Sequence, residues 1–129
     1  MTTKLYTLSK DERLSWKRHI DILFQEGKSF VAFPLRIIYY VVEKEMPART
    51  TILISIPKKK IKRAVQRNHI KRQVREAFRV RKPELNNLLE EKNKFIQIAF
   101  LYMDKEAHSF QAIEKAMDKT LHLLQEKIK

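Results

Sequence analysis

The chain has 129 residues, 43% of them apolar, and 28 lysines and arginines against 15 acids give it a formal net charge of +13. That apolar share is enough to build one core at this length, which excludes a disordered basic tail. One Gly, four Pro and zero Cys leave little linker, exclude disulfides and thiolate zinc sites, and fit a single domain over residues 1–129 in a reducing compartment.

In chain order, the N-terminal MTTKLYTLSKDERLSW has no apolar core of signal-peptide length. The apolar run Ile37 to Val42 is far too short to span a bilayer, so a soluble cytoplasmic protein is expected. The first helix is expected over Trp16 to Glu26, where Trp16, Ile20, Leu23 and Phe24 share one face. Ser15 can cap it, and Ser9 with Glu12 also reads as a capping box. Gly27 follows the last periodic residue, where a helix end favours positive φ. Phe30 to Glu43 reads as one strand or two broken near Pro34, Glu45 to Arg49 as a turn, and Thr50 to Ile56 as a strand ended by Pro57.

A basic helix follows from about Lys62 to Arg81. Ile61, Val65, Ile70, Val74, Ala77 and Phe78 are its expected buried stripe, and Pro83 is expected to close it. Asn86 to Glu91 can add a helical turn, and Phe95 to Met103, apolar on both faces, reads as a central strand. In the last helix Phe110, Ile113, Met117, Leu121, Leu124 and Ile128 keep helical spacing, with Ser109 as cap. The order α, two or three β, α, β, α predicts an α/β (α+β) two-layer sandwich on a small sheet.

The charge is concentrated. Pro47 to Pro83 holds thirteen basic residues and one acid, Glu76, whereas the rest of the chain is close to neutral. Arg63, Arg67, Lys71, Arg75 and Arg79 recur every four residues, a stripe about 24 Å long at about 1.5 Å per residue. Like charges at that spacing destabilise a free helix, whereas an ordinary solvated face mixes signs, so a polyanion is the expected partner. By the same repulsion argument, removing Arg67 is expected to leave stability unchanged or slightly raised. Lys58, Lys59 and Lys60 precede the helix, where backbone N–H groups already favour anions; without glycines this is no phosphate loop, and a plain basic turn stands beside that reading. Asn68 suits either a local backbone bond or an RNA contact. Trp16, Phe30 and Phe33 are expected in the core; Tyr39 and Tyr40, adjacent on a strand, point to opposite faces. The four histidines are scattered without metal-ligand spacing, and no catalytic residue set or acidic cluster is visible, so no metal or cofactor is expected on protein side chains.

The stretch from Ile52 to Lys82, ILISIPKKKIKRAVQRNHIKRQVREAFRVRK, resembles the signature of the bacterial ribonuclease P protein subunit. The resemblance rests on Ser55, Lys58, Lys59, Ala64, Arg67, Asn68, Lys71, Arg72, Arg75, Glu76, Phe78 and Arg79. It implies an αβββαβα order, a ribosomal-protein-like domain and a left-handed crossover. It also implies a ribonucleoprotein in which a catalytic RNA subunit holds Mg²⁺ and cleaves precursor tRNA to leave the mature 5′ end. The implied RNA-binding residues are Lys58, Lys59, Lys60, Arg63, Arg67, Asn68, Lys71, Arg72, Arg75 and Arg79. The implied 5′-leader cleft, between the first helix and the sheet, takes Ile20 and Phe24 with Tyr39 or Tyr40, and has Arg67 and Lys71 along its basic edge. No membrane or obligate protein partner is implied. His69 stands where the family usually has arginine, Pro57 replaces a small residue, and Leu101, Tyr102, Met103 and Asp104 occupy a stretch that is usually basic. An rRNA-binding ribosomal protein and a DNA-binding module are the rivals. The second is disfavoured because long like-charged side chains suit phosphates better than base edges.

Overall fold

The computed structural model describes residues 17–43 and 48–128, with side chains of the first helix described from residue 21. Ser9, Glu12, Ser15, Trp16, the Ile20 side chain and most of the turn at 45–49 therefore lie outside the described residues. The elements are α1 (Lys17–Glu26), β1 (Lys28–Ala32), β2 (Leu35–Val42), β3 (Thr50–Ser55), α2 (Ala64–Arg79), α3 (Lys82–Glu91), β4 (Phe95–Tyr102) and α4 (Phe110–Ile128). The strands form one sheet in the order β1-β2-β4-β3. β1–β2 and β2–β4 are antiparallel, and β3–β4 is parallel.

Strand alternation divides the sheet into two apolar faces. Ile37, Tyr39, Ile52, Ile98 and Phe100 face the main core with Ile70, Val74 and Phe78 of α2, Leu85 and Leu89 of α3, and Met117, Leu121 and Leu124 of α4. Ile38 and Ala99, paired in register, turn the other way and meet Leu23 of α1, flanked by Tyr40, Leu53 and Leu101. β4 is buried on both faces because it lies between β2 and β3 and beneath helices on each side, as its unbroken apolar run requires. At the start of α4, the Ser109 hydroxyl accepts from the Ala112 N–H at 3.2 Å, the expected cap.

Four expectations need correction. The basic helix ends at Arg79, and Pro83 opens the next helix instead of closing the last one. In a first turn its missing N–H leaves no intrahelical bond unmade. The helix α3 then ends in a paired cap, with the Lys94 N–H donating to Leu89 O at 2.8 Å and the Asn93 N–H to Glu90 O at 3.1 Å. Asn93 takes φ 53° there, a left-handed position that Asn tolerates. Gly27, by contrast, has no positive φ. A Cβ on it would lie 2.3 Å from the Leu23 carbonyl and 2.9 Å from Ile38 Cγ2, so glycine is needed for the close approach of α1 to the sheet.

Val65 is 80% exposed and not part of the buried stripe. At about 100° per residue, it sits some 140° around the helix from Ile70. Phe33 also leaves the core: it is 58% exposed in the β1–β2 turn, edge-on to the His108 ring at 5.5 Å.

Candidate nucleic-acid interface

Burial of Ile70, Val74, Ala77 and Phe78 determines which way α2 turns its other residues. Arg72, near the pole opposite this stripe, and Arg75 are exposed, and the side chain of Asn68 beside them makes no hydrogen bond among the described residues. Lys71 and Arg67, nearer the buried stripe, are half-buried. Lys58, Lys59 and Lys60 form an exposed turn, tied back by the Lys60 and Ile61 N–H groups, which both donate to Pro57 O at 3.1 Å. Ile61 is buried below them and anchors the turn.

The cations do not all face outward. Arg79 binds Glu76 through two bonds, at 2.6 and 2.9 Å, and these bonds hold the Glu76 carboxyl below its ordinary range. The one acid in the window is thus neutralised on the helix itself. Arg81 joins α4, with Nε 2.6 Å from Asp118 and Nη2 3.2 Å from Glu114. Lys82 is only 1% exposed, a buried part of the fold. Arg67 Nη1 donates to Ile61 O at 3.0 Å and Lys62 O at 2.8 Å, so it braces the loop leading into its own helix. The expectation that its loss merely relieves repulsion is corrected by these two bonds.

Lys105, on the loop between β4 and α4, was not anticipated. It joins Lys59, Lys60, Lys62 and Arg63 around a hollow of about 470 Å³ at the start of α2. Arg63 there has extended backbone and makes no side-chain cap, and the first turn contains no acid. No local signal links residue 105 to residues 59–63; only the parallel pairing of β3 with β4, which ends both strands at one edge of the sheet, brings them together. A second hollow of about 440 Å³ lies beyond Gln66, lined by Val65, Asn68, His69, Arg72 and Ala107.

On the opposite sheet face, Leu23 is fully buried and pins α1, while its neighbour Phe24 is 46% exposed. Tyr40 lies on this face, half-buried beside Ile38 and Ala99. Tyr39 points away into the main core, 5% exposed and 5.9 Å from the Phe30 ring, and burial raises its hydroxyl pKa. Phe24 and Tyr40 therefore share a face that Tyr39 does not. Exposed Arg36 and Val31, paired in register, also belong to it, although no motif marked either.

Among the described residues no group of three or more His, Asp or Glu stands together to hold a metal ion. Asp104 bonds to His108 and Glu76 to Arg79. No helix among the described residues is long and apolar enough to cross a membrane.

Fold and charge define a small α+β protein with a strongly cationic helix and loop at one edge of its sheet. The family model for ribonuclease P matches residues 8–125. A ribonuclease P protein component from Porphyromonas gingivalis is 42% identical over 116 residues, covering 90% of this chain and 85% of that protein. One from Chlorobium phaeobacteroides is 31% identical over 126 residues, covering 90% and 86%. The Staphylococcus aureus RNase P protein matches in fold, with a TM-score of 0.72 at 20% identity, covering 89% of this chain and 96% of that one. The Thermotoga maritima RNase P protein has a TM-score of 0.64 at 26% identity, with the same coverage. The chain belongs to the ribonuclease P protein family, the protein component of a tRNA-processing endoribonuclease.

Proposed function

We propose that this protein binds the catalytic RNA of ribonuclease P through the β3–α2 loop and α2, and helps that RNA remove the 5′ leader from precursor tRNA. The observation that carries this reading is the surface charge. Lys58, Lys59, Lys60, Lys62, Arg63, Arg72 and Arg75 are all exposed on one loop-helix unit, and its one acid is already paired. Such a surface is costly in isolation and favourable against phosphates. Lys105 restores a cation beside the stretch of β4 that lacks the family's usual basic residues.

The 5′ leader lies on the α1 face of the sheet, against Phe24 and Tyr40. Leu23 and Gly27 hold α1 in place there, and Arg36 supplies charge at that face. Mg²⁺ held by the catalytic RNA would supply the activation of water; the protein positions RNA and leader and neutralises charge. It works in the cytoplasm and requires no second protein.

The direct test is RNA affinity against salt. If about five to eight of these cations meet phosphates, log affinity against log salt falls with a slope of roughly −4 to −7. A slope near −1 would return the cationic surface to solvent.

A further inference from the structure

We propose that the groove between the first two turns of α2 and the β4–α4 loop accepts one unpaired nucleotide of the catalytic RNA, its phosphate among the lysines and its base against Val65. This rests on the reading of the chain as a ribonuclease P RNA-binding subunit. It assigns a task to residues that phosphate contact leaves unexplained.

The groove comprises two neighbouring hollows that share Gln66. Lys59, Lys60 and Lys105 line the first and Val65, His69 and Ala107 the second. The β4–α4 loop forms one wall throughout, through Lys105 in one part and Ala107 in the other. That wall is held in place. Gln73 Nε2 donates to His108 O at 3.4 Å, His108 bonds to Asp104, and the Tyr102 hydroxyl donates to Glu106 O.

Chemistry changes along the groove. The first part has cations and no acid. The second keeps one cation, Arg72, and adds Val65, an apolar side chain 80% exposed, beside Asn68 and His69. Helical geometry explains why Val65 stands apart from most of the helix cations. Arg67, Lys71 and Arg75 progress around one flank of α2, while Val65, His69 and Gln73 follow the other at i, i+4 and i+8. A phosphate gains nothing from Val65. A duplex presents phosphates and ribose hydroxyls but keeps its bases stacked inside. A ligand with an anionic end and a flat apolar body, its edge able to bond Asn68 or His69, is an unstacked nucleotide. Each hollow, at about 440 to 470 Å³, is of a size that ligand sites commonly have. The groove lies on α2, across the sheet from Phe24 and Tyr40, so its occupant is the catalytic RNA and not the leader.

Val65→Lys separates this proposal from simple charge attraction. The side chain is exposed, so the melting temperature should not change; Val65→Leu is the apolar control. A base pocket predicts that Val65→Lys weakens binding of catalytic RNA about tenfold despite its added cation. Base-specific chemical probing of the RNA should show one unpaired base protected by wild type and by Val65→Leu, and exposed by Val65→Lys. Tighter binding by Val65→Lys with a salt slope steeper by about one would overturn the pocket, because only phosphates would then be sensed. Protection found solely in the leader would overturn the assignment to catalytic RNA. Unchanged affinity together with unchanged protection would also overturn it. If wild type itself fails to bind the RNA, the ribonuclease P reading fails first, a result distinct from any difference between the variants.

Discussion

The guanidinium of Arg67 lies 2.8 Å from the carbonyl of Lys62, five residues earlier in the chain, and bonds the Ile61 carbonyl at the same time. One side chain thereby fixes the path by which the lysine turn enters α2. Arg67→Ala should lower stability by about 1 kcal/mol, since the bonds lost outweigh the few tenths regained from like-charge repulsion. It should also weaken RNA binding by loosening Lys59, Lys60 and Lys62. Arg75→Ala, at an exposed site, should leave the melting temperature unchanged and reduce the salt slope by about one. Thermal unfolding and salt-dependent binding of both variants distinguish the brace from the contact.

Phe24 and Tyr39 should respond in opposite ways. Tyr39 is buried in the main core, so Tyr39→Ala should cost about 3–5 kcal/mol. Phe24 is nearly half exposed, so Phe24→Ala should cost much less while reducing the affinity gained from a 5′ leader. Melting temperatures, measured beside binding of precursor tRNA with and without its leader, check both. Large destabilisation by Phe24→Ala with unchanged leader dependence would place that ring in the core.

Alkaline titration should single out Tyr102. Burial, reinforced by the Asp104 charge, pushes its hydroxyl from the usual 10.0 up to about 12. The folded state thus favours the protonated phenol. That contribution is complete below the unfolded pKa and is lost as pH rises from about 10 through about 12. Ultraviolet titration of the native protein should show a tyrosine ionising at about 12 that disappears in Tyr102→Phe, while the Tyr39 hydroxyl, also raised by burial, is retained. That variant should lose less stability than wild type across the same interval.

Much of this was legible in the sequence because it rests on periodicity. Ile70, Val74, Ala77 and Phe78 mark one face of α2, the double-sided apolar run of β4 marks a central strand, and Ser109 marks a cap. What stayed hidden depends on tertiary neighbours. Gly27 reads as a helix terminator until the Leu23 carbonyl and Ile38 are seen against it. Arg67 reads as one cation in a stripe because its acceptors are backbone carbonyls, which carry no residue-type signal. Lys105 lies 43 residues from Lys62 in a loop of mixed charge, and only the β3–β4 pairing makes it a neighbour of the lysine turn. Of Tyr39 and Tyr40, alternation requires opposite faces but cannot say which face α1 covers; Leu23 decides that.

The most direct test is reconstitution of precursor tRNA cleavage at low Mg²⁺ with catalytic RNA and this protein, separately and together. The protein alone should not cleave, because among the described residues no group of three or more His, Asp or Glu stands together to hold a catalytic metal. The catalytic RNA alone should be weak, and the mixture should release the 5′ leader at a single position. Site-specific cleavage by RNA-free protein, after exclusion of contaminating nuclease, or no gain from adding the protein, would contradict the account.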